Sequence, residues 1–70
     1  MKIIWKFGLD DETTEAHVPP ADAVAMLELV KSVDIIEDEQ GATLYTYNGS
    51  RLRVPDNLEN ELIIYLDETD

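Results

Sequence analysis

The sequence predicts an α+β fold in which one helix packs on a mostly antiparallel sheet, in the order β-α-β-β-β-β. Three observations predict it. Apolar residues alternate with period two near both ends of the chain, one central stretch has helical periodicity, and the segment between carries hairpin turn signals. Seventy residues make a single domain, 1–70, near the lower size limit for folding without disulfides or metals.

Residues 2–9 read as a strand, with Ile3, Trp5, Phe7 and Leu9 on its inner face and Lys2, Ile4 and Lys6 on the other. The carboxylate-dense stretch 10–18 reads as a polar loop. Pro19-Pro20 then opens a helix over 21–33. Pro20 suits the first helical position, and Asp22 in the first turn and Lys31 in the last both complement the helix dipole. Ala23, Met26, Leu27, Leu29, Val30 and Val33 fall on one arc, which is expected to cover the sheet, with Glu28 and Ser32 opposite.

The rest reads as strands. One is expected over 34–38, followed by a three-residue Glu39-Gln40-Gly41 turn with glycine in the left-handed region. A second, over 42–47, meets Asn48-Gly49, a two-residue hairpin signal, and a third runs over 51–54 to Pro55. Residues 56–60 form a loop or single helical turn. The last strand, 61–67, alternates Leu62, Ile64 and Leu66 against Ile63, Tyr65 and Asp67.

The two turns set Tyr45 opposite Leu52, Leu44 opposite Arg53, Ile35 opposite Tyr45 and Ile36 opposite Leu44. The helix side then carries Ile35, Tyr45, Tyr47, Leu52 and Val54. The other side carries Asp34, Ile36, Asp38, Leu44, Thr46, Arg51 and Arg53, and a one-residue slip would exchange the two.

Sixteen acidic residues against five basic ones give a formal net charge of −11. Such a field opposes naked nucleic acid and anionic bilayers and favours a cationic partner. The apolar fraction of 44% is enough for a core, which argues against disorder. A core of this size supplies roughly 3–5 kcal/mol, so a homodimer that buries more apolar area is expected. Lys6 and the run Asp10-Asp11-Glu12 interrupt the N-terminal apolar stretch, so no signal peptide or membrane span is expected. The absence of cysteine is compatible with a cytoplasmic protein.

Little in the sequence points to catalysis, and no enzyme activity or cofactor is expected. His17 is the single histidine and reads as an ordinary loop residue with no nucleophile to activate. Soft metal sites lack cysteine and sufficient histidine, and the acidic runs do not fit calcium-loop spacing, so no metal site is expected. Tyr45 and Tyr47 beside Arg51 and Arg53 resemble a base-stacking platform, but two arginines do not offset the overall charge.

What remains is the acidic pattern. Carboxylates fall in blocks around Asp10–Glu15, Asp34–Glu39, Asp56–Glu61 and Asp67–Asp70, separated by well-formed apolar elements. On a strand Glu37 and Glu39 would stand roughly 6–7 Å apart on one face. Spaced negative charge on a rigid scaffold can imitate a phosphate backbone. A solvated acidic surface, as in a halophilic domain of unknown activity, or an antitoxin-like or adaptor module for another basic protein would share this composition.

With its length, lack of cysteine and runs Asp10-Asp11-Glu12 and Glu37-Asp38-Glu39, the chain resembles the small acidic inhibitors that phages encode against host nucleic-acid-binding proteins. Within that group it is most similar to the kind directed at the histone-like nucleoid protein HU. The resemblance implies a homodimeric DNA mimic that occupies the DNA-binding surface of a basic protein such as HU. Charge clustering nominates Asp10, Asp11, Glu12, Glu15, Glu37, Asp38, Glu39, Asp67 and Glu68 as partner-binding residues.

Overall fold

The computed structural model describes residues 1–8, 13–38, 41, 43–56 and 58–69. Its elements are β1 (Lys2–Phe7), β2 (Thr13–His17), α1 (Pro20–Ser32), β3 (Ile36–Glu37), β4 (Leu44–Arg53) and β5 (Glu61–Thr69). The strands form one sheet in the order β2-β1-β5-β4-β3. Every neighbouring pair is antiparallel except the central β1 and β5, which run parallel. The class is therefore α+β, one helix on a mostly antiparallel sheet, as the sequence predicts.

Alternation places the core. Ile3 on β1 and Leu62, Ile64 and Leu66 on β5 are buried beneath Ala23 and Val30 of α1. Trp5, Phe7, Tyr45, Tyr47 and Leu27 pack against them, and the rings of Phe7 and Tyr45 meet at 5.2 Å in a tilted arrangement. Ala23 is fully buried, and its small side chain lets the helix approach the sheet closely. The helix keeps its expected dipole partners, Asp22 in the first turn and Lys31 in the last, with proline at its start.

Four expectations are corrected. Thr13–His17, expected within a polar loop, is strand β2. An edge strand exposed along its whole length has no buried face to print an alternating pattern in the sequence. The expected turn at Asn48-Gly49 is a β-bulge inside one long strand: Tyr47 opposes Leu66 and Ser50 opposes Ile64, so two residues face Tyr65 alone. Gly49 has a φ of +115°, and a bulge uses glycine's freedom much as a tight turn would. Tyr45 therefore faces Glu68 and Leu52 faces Leu62, instead of each other.

The third correction is register. Ile36, not Ile35, opposes Tyr45, and Glu37 opposes Leu44. This one-residue slip turns Ile36 to the core and leaves Ile35 46% exposed. Gly41 does take the expected left-handed φ, +66°, and its N–H bonds to the Asp38 carbonyl. Glu39 and Gln40 lie outside the described residues, as does Leu9. The fourth concerns the helix arc. Ala23, Leu27 and Val30 face the sheet, whereas Met26, Leu29 and Val33 are exposed. A single helix reaches only the middle of a five-stranded sheet, so its inward stripe is narrow.

No helix among the described residues is long and apolar enough to cross a membrane.

Candidate functional site

Strand direction sorts the charges. β1 and β5 run the same way, and β2 and β4 run against them. Phe7, Thr13, Glu37, Leu44 and Thr69 therefore stand at one end of the sheet, with Lys2, His17, Arg53 and Glu61 at the other.

At the Lys2 end, carboxylates and cations neutralise one another. Lys2 Nζ lies 3.6 Å from Glu61 Oε2 and 3.7 Å from Glu15 Oε2, and Arg53 Nη1 donates to Glu61 Oε1 at 3.2 Å. The Met1 ammonium is 3.5 Å from Glu59 and donates to the Val18 carbonyl. His17 Nδ1 is 2.6 Å from Glu59 Oε1, which ties the end of β2 to the segment leading into β5. His17 thus ends a strand and has a structural partner, in place of its expected loop setting.

The other end differs. Glu37 projects from β3, and Asp67 and Glu68 from the last turns of the β5 ladder, opposite Thr46 and Tyr45. Asp67 accepts a hydrogen bond from Asn48 Nδ2 at 3.1 Å. Among the described residues no cation pairs with Glu37, Asp67 or Glu68. Asp38 follows Glu37, and its N–H bonds to the Thr43 carbonyl, closing the β3–β4 connection. From Glu61 to Glu68 along β5 is about 23 Å at 3.3 Å per residue. That is nearly three Debye lengths at physiological salt, so the paired end does little to offset the field at the acidic one.

Of the nominated residues, the structure brings Glu37, Asp38, Asp67 and Glu68 together at one end. Glu15 is not with them. It stands mid-strand on β2 opposite Ile4 and pairs with Lys2. Asp10, Asp11, Glu12 and Glu39 lie outside the described residues. Sequence blocks could not show that Glu15 meets a cation, because only strand pairing brings it to Lys2.

The tyrosine–arginine platform does not form. Tyr45 and Tyr47 pack on the helix side, whereas Arg51 and Arg53 share the opposite face with Ile63 and Glu61. That open face also carries Lys2 and Lys6, so four of the five basic residues lie on it. Lys6 Nζ sits 5.8 Å from the Tyr65 ring centroid. Ile4 and Ile63 on this face are buried, Ile63 to 1% exposure, although no helix covers them; the long stems of Lys2, Lys6 and Arg51 can shield such positions.

Among the described residues no three His, Asp or Glu side chains converge to hold a metal ion. An apolar groove of about 370 Å³ between α1 and the start of β1 holds one carboxylate, Asp22, beside Ile3, Val18, Ala25, Met26 and Leu29. It lies on the helix side, away from the acidic end. Compared with known proteins, the chain matches no protein-family model, no curated protein and no solved structure.

Proposed function

We propose that this protein is a non-enzymatic DNA mimic, which holds its unpaired carboxylates against the DNA-binding surface of a basic nucleic-acid-binding protein such as HU. The observation that carries this reading is charge segregation. The four ion pairs of Met1, Lys2 and Arg53 with Glu15, Glu59 and Glu61, and the His17–Glu59 contact, all lie away from Glu37, Asp67 and Glu68, which have no cation among the described residues. Sheet pairing spaces them. Glu37 stands two strands from β5, roughly 10 Å at 4.8 Å per strand. Lysines and arginines that hold phosphates would meet carboxylates in their place, with long-range attraction speeding encounter.

A gel-shift competition tests the reading. The protein should displace duplex DNA from HU, and it should do so less well as salt rises. The triple variant Glu37→Gln, Asp38→Asn, Glu39→Gln should compete less well while keeping the wild-type circular dichroism spectrum. Tight binding to a basic protein that leaves its DNA in place would favour an adaptor instead.

The working form is proposed to be a homodimer joined through the outward flank of α1. Met26, Leu29 and Val33 are exposed there, Leu29 to 58%. Docking on this flank would keep both acidic ends facing solvent. Sedimentation should give a dimer that Leu29→Lys converts to a monomer. A wild-type monomer at all concentrations would remove the dimer and leave the mimic standing.

A further inference from the structure

The sheet is unfinished on one side. β4 is ten residues long, but β3 pairs with only Leu44 and Tyr45. From Thr46 onward no strand among the described residues occupies that side of β4, and the bulge at Asn48 and Gly49 divides the open edge. Below the bulge, Ser50–Arg53 offers about 13 Å of strand backbone at 3.3 Å per residue, within the usual range of strand lengths, and Val54 follows it.

Its side chains are sorted by face. Arg51 and Arg53 point to the open face, in register with Ile63 and Glu61, whereas Leu52 is in register with the core residue Leu62. Yet Leu52 is 56% exposed and the following Val54 66%. Arg51 has no carboxylate partner among the described residues, and Arg53 shares Glu61 with Lys2. The edge also falls within 40–55, the longest stretch of the chain without a carboxylate. Asp67, the nearest carboxylate without a cation on the same face of β5 among the described residues, lies four residues beyond Ile63, about 13 Å along the strand and more than one Debye length at physiological salt, so its field at Arg51 is largely screened.

We propose that this edge accepts an added strand from another protein, an extended segment with carboxylates on one face and aliphatic side chains on the other. Main-chain hydrogen bonds would supply affinity. Cross-strand carboxylates would meet Arg51 and Arg53, and aliphatic groups would cover Leu52 and Val54. A second copy fits poorly: antiparallel β4–β4 pairing centred on Leu52 sets Arg51 opposite Arg53, and centred on Arg51 sets like charges together, which destabilises a sheet. This inference does not depend on the DNA-mimic reading.

The probe is a blocked synthetic peptide of alternating glutamate and valine, titrated into the full-length ¹⁵N-labelled protein. Amide shifts should change saturably at 50–54, and amides there should gain protection from hydrogen exchange. Arg51→Glu should weaken binding at least tenfold. Arg51 makes no ion pair among the described residues, so this variant should fold, and Arg51→Gln provides a milder check. A lysine–valine peptide should shift Glu37, Asp67 and Glu68 instead. Absence of shifts at 50–54, equal affinity for Arg51→Glu, or the same shifts from protein concentration alone would overturn the proposal.

Discussion

Glu61 takes two cations at once: Arg53 Nη1 at 3.2 Å from one oxygen and Lys2 Nζ at 3.6 Å from the other. It thereby links the parallel β1–β5 pair to β4 across the open face. Replacing it with glutamine should destabilise the protein by about 1 kcal/mol, the upper range for partly exposed pairs. Glu68→Gln removes a carboxylate that has no cation among the described residues, so it should leave stability unchanged or raise it. Urea denaturation of both variants reads the contrast.

Ile64 has no exposed surface and sits at the centre of the core. Ile64→Ala should cost about 2–5 kcal/mol. That rivals the total expected of a domain this small. Circular dichroism should show a chain largely unfolded at room temperature.

The register of β3 can be read from a pair of substitutions. Ile36→Thr places a hydroxyl against the core and should cost more than about 1 kcal/mol. Ile35→Thr, at a half-exposed position, should stay within about 0.5 kcal/mol. The opposite ranking would restore the register expected from the turn.

Gly49 at φ +115° has open space where a Cβ would stand. Gly49→Ala should therefore cost about 1–3 kcal/mol from backbone strain alone. A D-alanine at the same position, made by chemical synthesis, should recover most of that loss. Equal stability of the two variants would show that the strand adopts another conformation.

Salt should act in opposite directions on stability and on binding. Screening relieves repulsion among Glu37, Asp67 and Glu68, so the melting temperature should rise with sodium chloride. Screening also weakens attraction to a basic partner, so affinity should fall. A thermal melt and a binding titration over one salt series separate the two. A protein that unfolds without molar salt would instead fit the halophilic alternative.

Much of the fold was legible because it rests on buried alternation. Ile3, Trp5 and Phe7, and Leu62, Ile64 and Leu66, announced their inner faces, and Pro20, Asp22 and Lys31 marked the helix. β2 was not legible, since neither of its faces is buried. Asn48-Gly49 announced an unusual backbone but not which device used it, because a turn and a bulge both favour glycine at positive φ. The faces of Tyr45, Tyr47, Arg51 and Leu52 nevertheless came out as expected, since the bulge keeps the parity that the turn implied. In the candidate site, Glu37, Asp38, Asp67 and Glu68 were visible as blocks. That they share one end follows from β5 pairing antiparallel with β4, which also pairs antiparallel with β3, and no local pattern records that β5 takes this place.

That pairing also governs the order of folding. β5 is synthesised after every strand it joins, and it lies between β1 and β4. While the ribosome is still making it, the β1–β2 and β3–β4 hairpins have no ladder between them. A nascent chain released or clipped before residue 61 would still encode both strand pairs but lose Ile63, Ile64 and Leu66, the largest fully buried side chains, and two-stranded pairs left on their own are marginal in water.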